Sequence, residues 1–469
     1  MVAIIATTNN NGKQIIMHAL KYLYILPLIF AVIALPGNVN HTSAAPVYRI
    51  VLDPGHGGVC LPNKQKHGDR YDSLSGRYLS DFAMGAAHRG LWEHILVYQI
   101  AEKTKKILDL CSPDATESDF NTFNKILKRY TSKPAKRIHI ITHMSRGNSS
   151  NIEEIKKRKD PNAEFRLYDY PDSKGIMQPG RISKINALKP HLVVSLHMTC
   201  TTSRIYQGMS AVIIAPHTLM NNGLMYLKGK KSSSFFRNSS YTDWFQESNQ
   251  RSSWEWFLND SVFYFTSFPM KRNRSMRLDR FRGYRYNMIQ WAYRDSKGWE
   301  KAAASHPAGT QYANSYRTFA PLGKFWEREK SKYELFRREG GPEGFGGDNY
   351  FAAAEILRFM IYSLHLRGED HPHQKLTRPF ISTWSIPLHI NAVSAYLELG
   401  SLRNSRHRYL FTRKQNELAE GIAVGIYSLF AGIEPSSKKF RYTPKGKEID
   451  YSRYKISHDT TYFDVVVEE

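Results

Sequence analysis

The chain has 469 residues and a mass of 54.1 kDa, with 41% hydrophobic and 23% charged residues, a balance that suits a large buried core and excludes a disordered or fibrous protein. Its formal charge of +24 is far from ordinary and points to polyanionic surroundings: nucleic acid, an anionic membrane face, or a carboxylate- and phosphate-rich envelope. The three cysteines, Cys60, Cys111 and Cys200, exclude a disulfide framework, because an odd count leaves at least one thiol over.

At the amino terminus, Lys13 and Lys21 precede an apolar run over residues 22–35, which breaks at Pro36-Gly37 and is followed by Ser43-Ala44-Ala45. A basic start, a short apolar stretch and small residues make an export signal, with cleavage expected after Ala45. A retained anchor fits less well, since the run is short for a span of about 20 residues and contains a proline.

Residues 47–52 have the β-branched and aromatic character of a buried strand, which Asp53-Pro54-Gly55 ends. His56 is thereby held at a strand's carboxyl end, between glycines whose missing Cβ atoms let backbone and ligand come close. A simple tight turn has the same local sequence, so partners elsewhere must decide between the two. The polar stretch 59–89 reads as a long loop bordering a cleft. From Leu91 onward, Ile95, Tyr98, Ala101 and Leu108 follow near-helical spacing. Glu93 then falls in the first turn, where the helix dipole favours a carboxylate with or without a metal.

Residues 137–142 alternate as a strand. His139 and His143 lie in or beside it, which separates them by roughly 13 Å at about 3.3 Å per residue, too far to share an ion. No His-Glu-x-x-His occurs, so the helical zinc-protease pattern is excluded. Residues 192–197 read as a second buried strand that ends in His197, and residues 210–215 as a third. Cys60 and Cys200 each lie within four residues of a histidine, His56 and His197. A bridge between them, a soft metal ligand, and ordinary free thiols all remain open.

The stretch 221–347 mixes Trp244, Trp254, Trp256, Trp291, Trp299 and Trp326 with tyrosines and basic residues. Such a mixture suits nucleobases and phosphates, sugar rings and carboxylates, or a subdomain's own core; the export signal argues against nucleic acid. Residues 351–362 then read as a helix with a broad apolar face. Glu398 stands near the end of a strand-like run at 391–400, where a polar residue on a strand edge is the plainer account. A helix over 415–430 and a charged tail at 432–469, whose last apolar residues would add an edge strand, complete the chain.

Taken in order, Asp53-Pro54-Gly55-His56-Gly57-Gly58, Glu93, Ser195-Leu196-His197 and Glu398-Leu399-Gly400 resemble the motifs of the zinc-dependent N-acetylmuramoyl-L-alanine amidases, which are cell-wall hydrolases. The resemblance covers residues 47–199 and 351–430. It implies an α/β fold with a mixed sheet flanked by helices and a long basic, aromatic-rich insertion. The expected organisation is a signal peptide at 1–45, a core in two parts at 46–220 and 348–431, the insertion at 221–347 and a tail at 432–469; residues 180–188 resemble the family's short helix before the histidine strand.

By the same resemblance, His56, Glu93 and His197 hold Zn2+, and Glu398 is the catalytic base and then acid. Two histidines and a carboxylate leave a position open for water or substrate; iron or manganese accepts similar ligands, so the choice of zinc comes from the family. The implied partner is peptidoglycan, cut between N-acetylmuramic acid and L-alanine, with no nucleic acid and an exported location in the periplasm or envelope. Some such amidases carry an inserted helix whose carboxylate blocks the metal until an activator protein removes it, a part that Glu247 or Glu255 would play here. His94 in place of the usual lysine, Met198-Thr199 after His197, and Ser401 in place of an aromatic depart from the pattern. A non-catalytic envelope glycan-binding protein and a metal-dependent peptidase are the alternatives.

Overall fold

A computed structural model of the chain describes residues 45–62, 67–72, 77–80, 82–201, 208–213, 347–372, 374–377, 380–381, 390 and 392–440. The export segment up to residue 44, the insertion up to residue 346 with Glu247 and Glu255, and the tail beyond residue 440 lie outside them.

The strands are β1 (Val47–Pro54), β2 (Asp69–Asp72), β3 (Arg77–Ser80), β4 (Ala87–His88), β5 (Leu91–Trp92), β6 (His139–Met144), β7 (Tyr170–Pro171), β8 (Met177–Gln178), β9 (Leu192–Thr199), β10 (Ser210–Ile213), β11 (Phe380–Ile381) and β12 (Val393–Ser401). The α-helices are α1 (Glu93–Leu108), α2 (Glu117–Leu127), α3 (Ile152–Lys157), α4 (Arg181–Ala187), α5 (Gly347–His365), α6 (Ser405–Arg413) and α7 (Gln415–Ala431). Among the described residues the main sheet has six strands in the order β11-β10-β12-β9-β1-β6. β6, β1, β9 and β12 run parallel, and β10 is antiparallel to β12. The chain is thus α/β with a mixed sheet flanked by helices.

Burial on both faces explains the near-continuous apolar runs of the central strands. Alternate side chains divide them between two layers. Ile50, Leu52, Leu192, Val194, Leu196, Ala395, Leu397 and Leu399 join the large core that includes α1, α5 and α7. Val51, Val193 and Tyr396 face the other way, into a smaller core with Ile182 and Ile185 of α4.

The stretch 59–89 is not one continuous loop. It contains the β2–β3 hairpin and the strand β4. Tyr71 and Tyr78 pair across the hairpin with ring centroids 5.2 Å apart, and the buried Arg166 guanidinium lies over the rings of both Tyr78 and Tyr170. These partners are distant in sequence, so periodicity within the stretch carries no trace of them. Helix α2 also goes beyond the sequence reading, although its capping box is local: Thr116 accepts from Asp119 N while the Asp119 side chain accepts from Thr116 N. No helix among the described residues is long and apolar enough to cross a membrane.

Helices α5 and α7 approach through Gly421 and Gly425, one turn apart. A Cβ at Gly421 would lie 2.4 Å from Met360 Cα, and one at Gly425 2.7 Å from Ile356 Cα. In an exposed helix, alanine would stabilise by about 1 kcal/mol over glycine. Here the obstacle is backbone, and overpacking of about 1–3 kcal/mol prevails. Gly421→Ala is therefore expected to destabilise the fold, by roughly 1–2 kcal/mol in urea unfolding, rather than to stabilise it.

Candidate metal centre

The alternation that builds the two cores also sorts the polar side chains. Asp53 shares the face of Val51, Ser195 and His197 that of Val193, and Glu398 that of Tyr396, all toward α4 rather than the large core. The register sets Asp53 beside Ser195, Ser195 beside Tyr396, and His197 beside Glu398. Near the carboxyl ends of parallel strands, where open α/β sheets leave room for ligands, these residues make one continuous polar row.

His56 follows β1 in the left-handed region at φ 59°, ahead of Gly57 at 125° and Gly58 at 69°. A non-glycine residue holds that conformation only where its surroundings impose it. Two arginines do so here. Arg181 donates through Nη1 to the His56 carbonyl (3.1 Å) and through Nη2 to that of Pro54 (2.9 Å). Arg146 donates through Nε to Pro54 O (2.9 Å) and through Nη2 to Gly55 O (3.0 Å) and His94 O (2.8 Å). Three successive carbonyls of the turn are thus fixed from outside it.

Arg181 is in turn paired with Asp53, and both are fully buried. The carboxylate also accepts from Ser145 Oγ (2.5 Å) and Ser195 Oγ (2.9 Å). Burial alone would raise the Asp53 carboxyl. The Arg181 charge and the hydrogen bonds from Ser145 and Arg181 outweigh it and hold the group below its ordinary 3.8.

At the end of this support, one donor atom from each of His56, Glu93 and His197 lies within 4.8 Å of the others. His56 Nε2 is 3.5 Å and His197 Nδ1 3.0 Å from Glu93 Oε1. His56 Nδ1 lies 3.1 Å from the carbonyl of Ala83, which can only accept, so the proton sits on Nδ1 and the lone pair of Nε2 faces the cluster. Glu93 opens α1 as its first residue and accepts from Ala86 N (2.6 Å) and Met198 N (2.9 Å). Burial works against its ionisation, but His56 and His197 prevail and draw the carboxyl down to about 2. Burial likewise lowers His56 despite the nearby Glu93, which favours the neutral imidazole that a metal needs.

The cradle tolerates no extra atoms. A Cβ at Gly55 would fall 2.3–2.7 Å from the His197 ring, and one at Gly85 2.7 Å from both Glu93 Oε2 and His56 Cδ2. His197 stacks on Tyr396 with centroids 4.3 Å apart and planes 9° from parallel. The stretch containing Ala83, Gly85 and Ala86 therefore borders the site, as expected of a loop beside a cleft.

Glu398 is also buried, and among the described residues its Oε2 has no hydrogen-bond partner. Burial, followed by the charge of Glu93, raises its carboxyl well above the ordinary 4.5. Two carboxyls in one site thus have opposite environments, one drawn below its ordinary value and one raised above it.

Cys60, Cys111 and Cys200 are free thiols, and the metal cluster contains no cysteine. His139 contacts the carbonyl of Ser112 through Nδ1 (3.3 Å). His94, at a position that departs from the amidase pattern, is buried with Nδ1 2.6 Å from Ser149 Oγ. Sequence reasoning missed the second rank: Arg146, Arg181, Ser145 and the stacking Tyr396. Asp53 carried a signal as part of the Asp-Pro-Gly-His motif, whereas the arginines lie about 90 and 130 residues away from it.

No protein-family model matches the sequence, and no curated protein matches it. Among solved structures, the chain is similar to an N-acetylmuramyl-L-alanine amidase from Mycobacterium smegmatis, with 13% identity, a TM-score of 0.31, and coverage of 81% of this chain and 94% of that one. An N-acetylmuramoyl-L-alanine amidase from Clostridium difficile 630 is similar at 12% identity and a TM-score of 0.30, over 82% and 98% of the two chains. The apo form of an amidase from Mycobacterium abscessus has 12% identity and a TM-score of 0.30, over 81% and 96%.

Replacing Arg181 by Met would leave Asp53 buried and uncompensated, with an expected loss of about 3–5 kcal/mol in urea unfolding. The pH dependence has a definite sign. Because the Asp53 carboxyl is held below 3.8, its contribution is complete above that value and is lost as pH falls through the lower folded value. Unfolding curves for Asp53→Asn collected across the acid range should lack that part of the decline.

Proposed function

We propose that this chain is a zinc-dependent amidase that hydrolyses the bond between the lactyl carbonyl of N-acetylmuramic acid and the amino group of L-alanine in peptidoglycan. The observation that carries this reading is the convergence of His56, Glu93 and His197 on one another, with the buried, unpartnered Oε2 of Glu398 on the strand beside His197. The motifs they belong to resemble those of the amidase family in residue type and in order.

The donor set suits zinc: two imidazoles and one ionised carboxylate, closely spaced, in a cradle where two glycines make room. When bound, zinc supplies Lewis acidity, polarising an amide carbonyl and making water easier to deprotonate. His56, Glu93 and His197 would hold the ion. Arg181 and Arg146 keep the His56 turn in place, and Tyr396 limits the tilt of the His197 ring.

Glu398 performs the proton transfers. Its Oε2, without a hydrogen-bond partner among the described residues, accepts a proton from the attacking water and returns it to the departing nitrogen of L-alanine. A carboxyl with a raised affinity for protons suits both steps. Burial removes the carboxyl from bulk water, which strengthens that affinity. The export signal and the basic surface fit an envelope location with an anionic polymer as substrate, and an activator protein acting on the insertion belongs to the same reading.

Incubation with peptidoglycan followed by mass spectrometry tests the function. The wild-type chain with zinc should release stem peptides that begin with L-alanine, and Glu398→Ala should lower the rate by roughly 100- to 10,000-fold while keeping its zinc. Peptides cut at other bonds would identify a peptidase, and no release would remove the reading. Gly55→Ala, which displaces the His197 ring, should weaken zinc binding about 10- to 100-fold in a chelator competition.

A further inference from the structure

Beyond the metal cluster, the structure gathers positive charge at one rim that is unpaired among the described residues. The hairpin of β4 and β5 turns through Arg89 and Gly90, and Ala86, just before β4, donates to Glu93. Cys200 Sγ lies 3.5 Å from Ala87 O, joining the hairpin to the end of β9. Beyond β9, Leu402 N donates to Thr199 O (2.8 Å) and Ser401 Oγ to Thr201 O (3.0 Å). Arg403 and Arg408 follow directly, and Arg408 Nη1 pins the carbonyls of Leu402 and Arg403 at 2.8 Å each. Some loss of solvent, then the charges of Arg408, Arg403 and Arg89, hold the His88 imidazole below its ordinary value.

Two features set this rim apart. Arg129, Arg137, Arg158 and Arg367 are each paired with a glutamate; among the described residues, the guanidiniums of Arg89, Arg403 and Arg408 have no carboxylate partner, a lack that Arg49 and Arg413 share singly and only this rim collects. In addition, Arg89 sits at φ 51° in a two-residue turn whose other member, Gly90, is at 77°. That turn favours asparagine, aspartate or glycine at both positions, so an arginine there costs stability, and its side chain is exposed. Strain of this kind clusters at ligand sites.

We infer that Arg89 and Arg403, on the rim beside Glu93, bind a carboxylate of the stem peptide one residue beyond the bond to be cut. This rests on the amidase reading for the identity of the substrate. An anionic group one residue away lies roughly 4–7 Å from the scissile amide; Arg89 stands four residues before Glu93, and Arg403 follows Leu402, whose N–H bonds Thr199 two residues beyond His197, while a guanidinium pairs with a carboxylate through two parallel hydrogen bonds. In the stem, the residue after L-alanine is γ-linked D-glutamate, whose α-carboxylate is free unless amidated. The site therefore distinguishes the free form from the amidated form.

The test uses the full chain and L-alanyl-γ-D-glutamyl-L-lysine amide, with the glutamyl α-carboxyl either free or amidated. Isothermal titration should show wild type binding the free form about tenfold more tightly than the amide, and Arg89→Asn/Arg403→Gln binding the two equally. That double variant should melt no lower than wild type, because asparagine suits the left-handed turn position. On intact muropeptides it should raise KM about tenfold for the free form only, with kcat within twofold. Equal binding of the two peptides by wild type, a preference that survives in the double variant, or no binding of either peptide would overturn the inference. A preference in wild type without any hydrolysis would instead remove the amidase reading and leave this site standing.

Discussion

The buried pair of Asp53 and Arg181 is the interaction on which the site depends. A pair with both members out of water is weak evidence for stability, since desolvation offsets much of the attraction. Its value here is positional. Asp53 accepts from the guanidinium and from the hydroxyls of Ser195 in β9 and Ser145 just past β6, and the guanidinium in turn holds the carbonyls of Pro54 and His56. With Arg146 on the same turn, a conformation unfavourable for histidine becomes the one in which the carbonyls of Pro54, Gly55 and His56 are all hydrogen-bonded. The imidazole is aimed before any ligand arrives.

The same sheet that provides this pair also separates chemistry from bulk stability. The larger core, with α5 and α7 closely packed through Gly421 and Gly425, lies on one face, and the polar row lies on the other. Consequently the row of Asp53, Ser195, His197 and Glu398 can be shaped for its task without polar atoms intruding on the main packing layer. Glu93 joins the row from a different direction, at the start of α1 beyond the strand ends, where the helix dipole adds to the pull of the histidines on its charge.

Charge in this protein acts at two ranges. In the site, burial and close partners draw one carboxyl below its ordinary value and push the other above it. Across the chain, the excess of 66 basic over 42 acidic residues favours a polyanionic neighbourhood.

Much of this was legible in the sequence because it is local or periodic. β1, β9, β12, α1, α5 and α7 are found where apolar spacing and turn residues predict them, α4 where the family resemblance places a short helix, and His56, Glu93, His197 and Glu398 stand in short motifs at element ends. The capping box at Thr116 and the capping Asn404 of α6 were also written locally, although the sequence reading passed over both helices. The hairpin of β2 and β3, the roles of Arg146 and Arg181, and the ring of Tyr396 over His197 were decided only by the tertiary structure. Each depends on a partner supplied by a different strand or loop, and a periodic pattern records which face a residue takes but not what the fold sets opposite it.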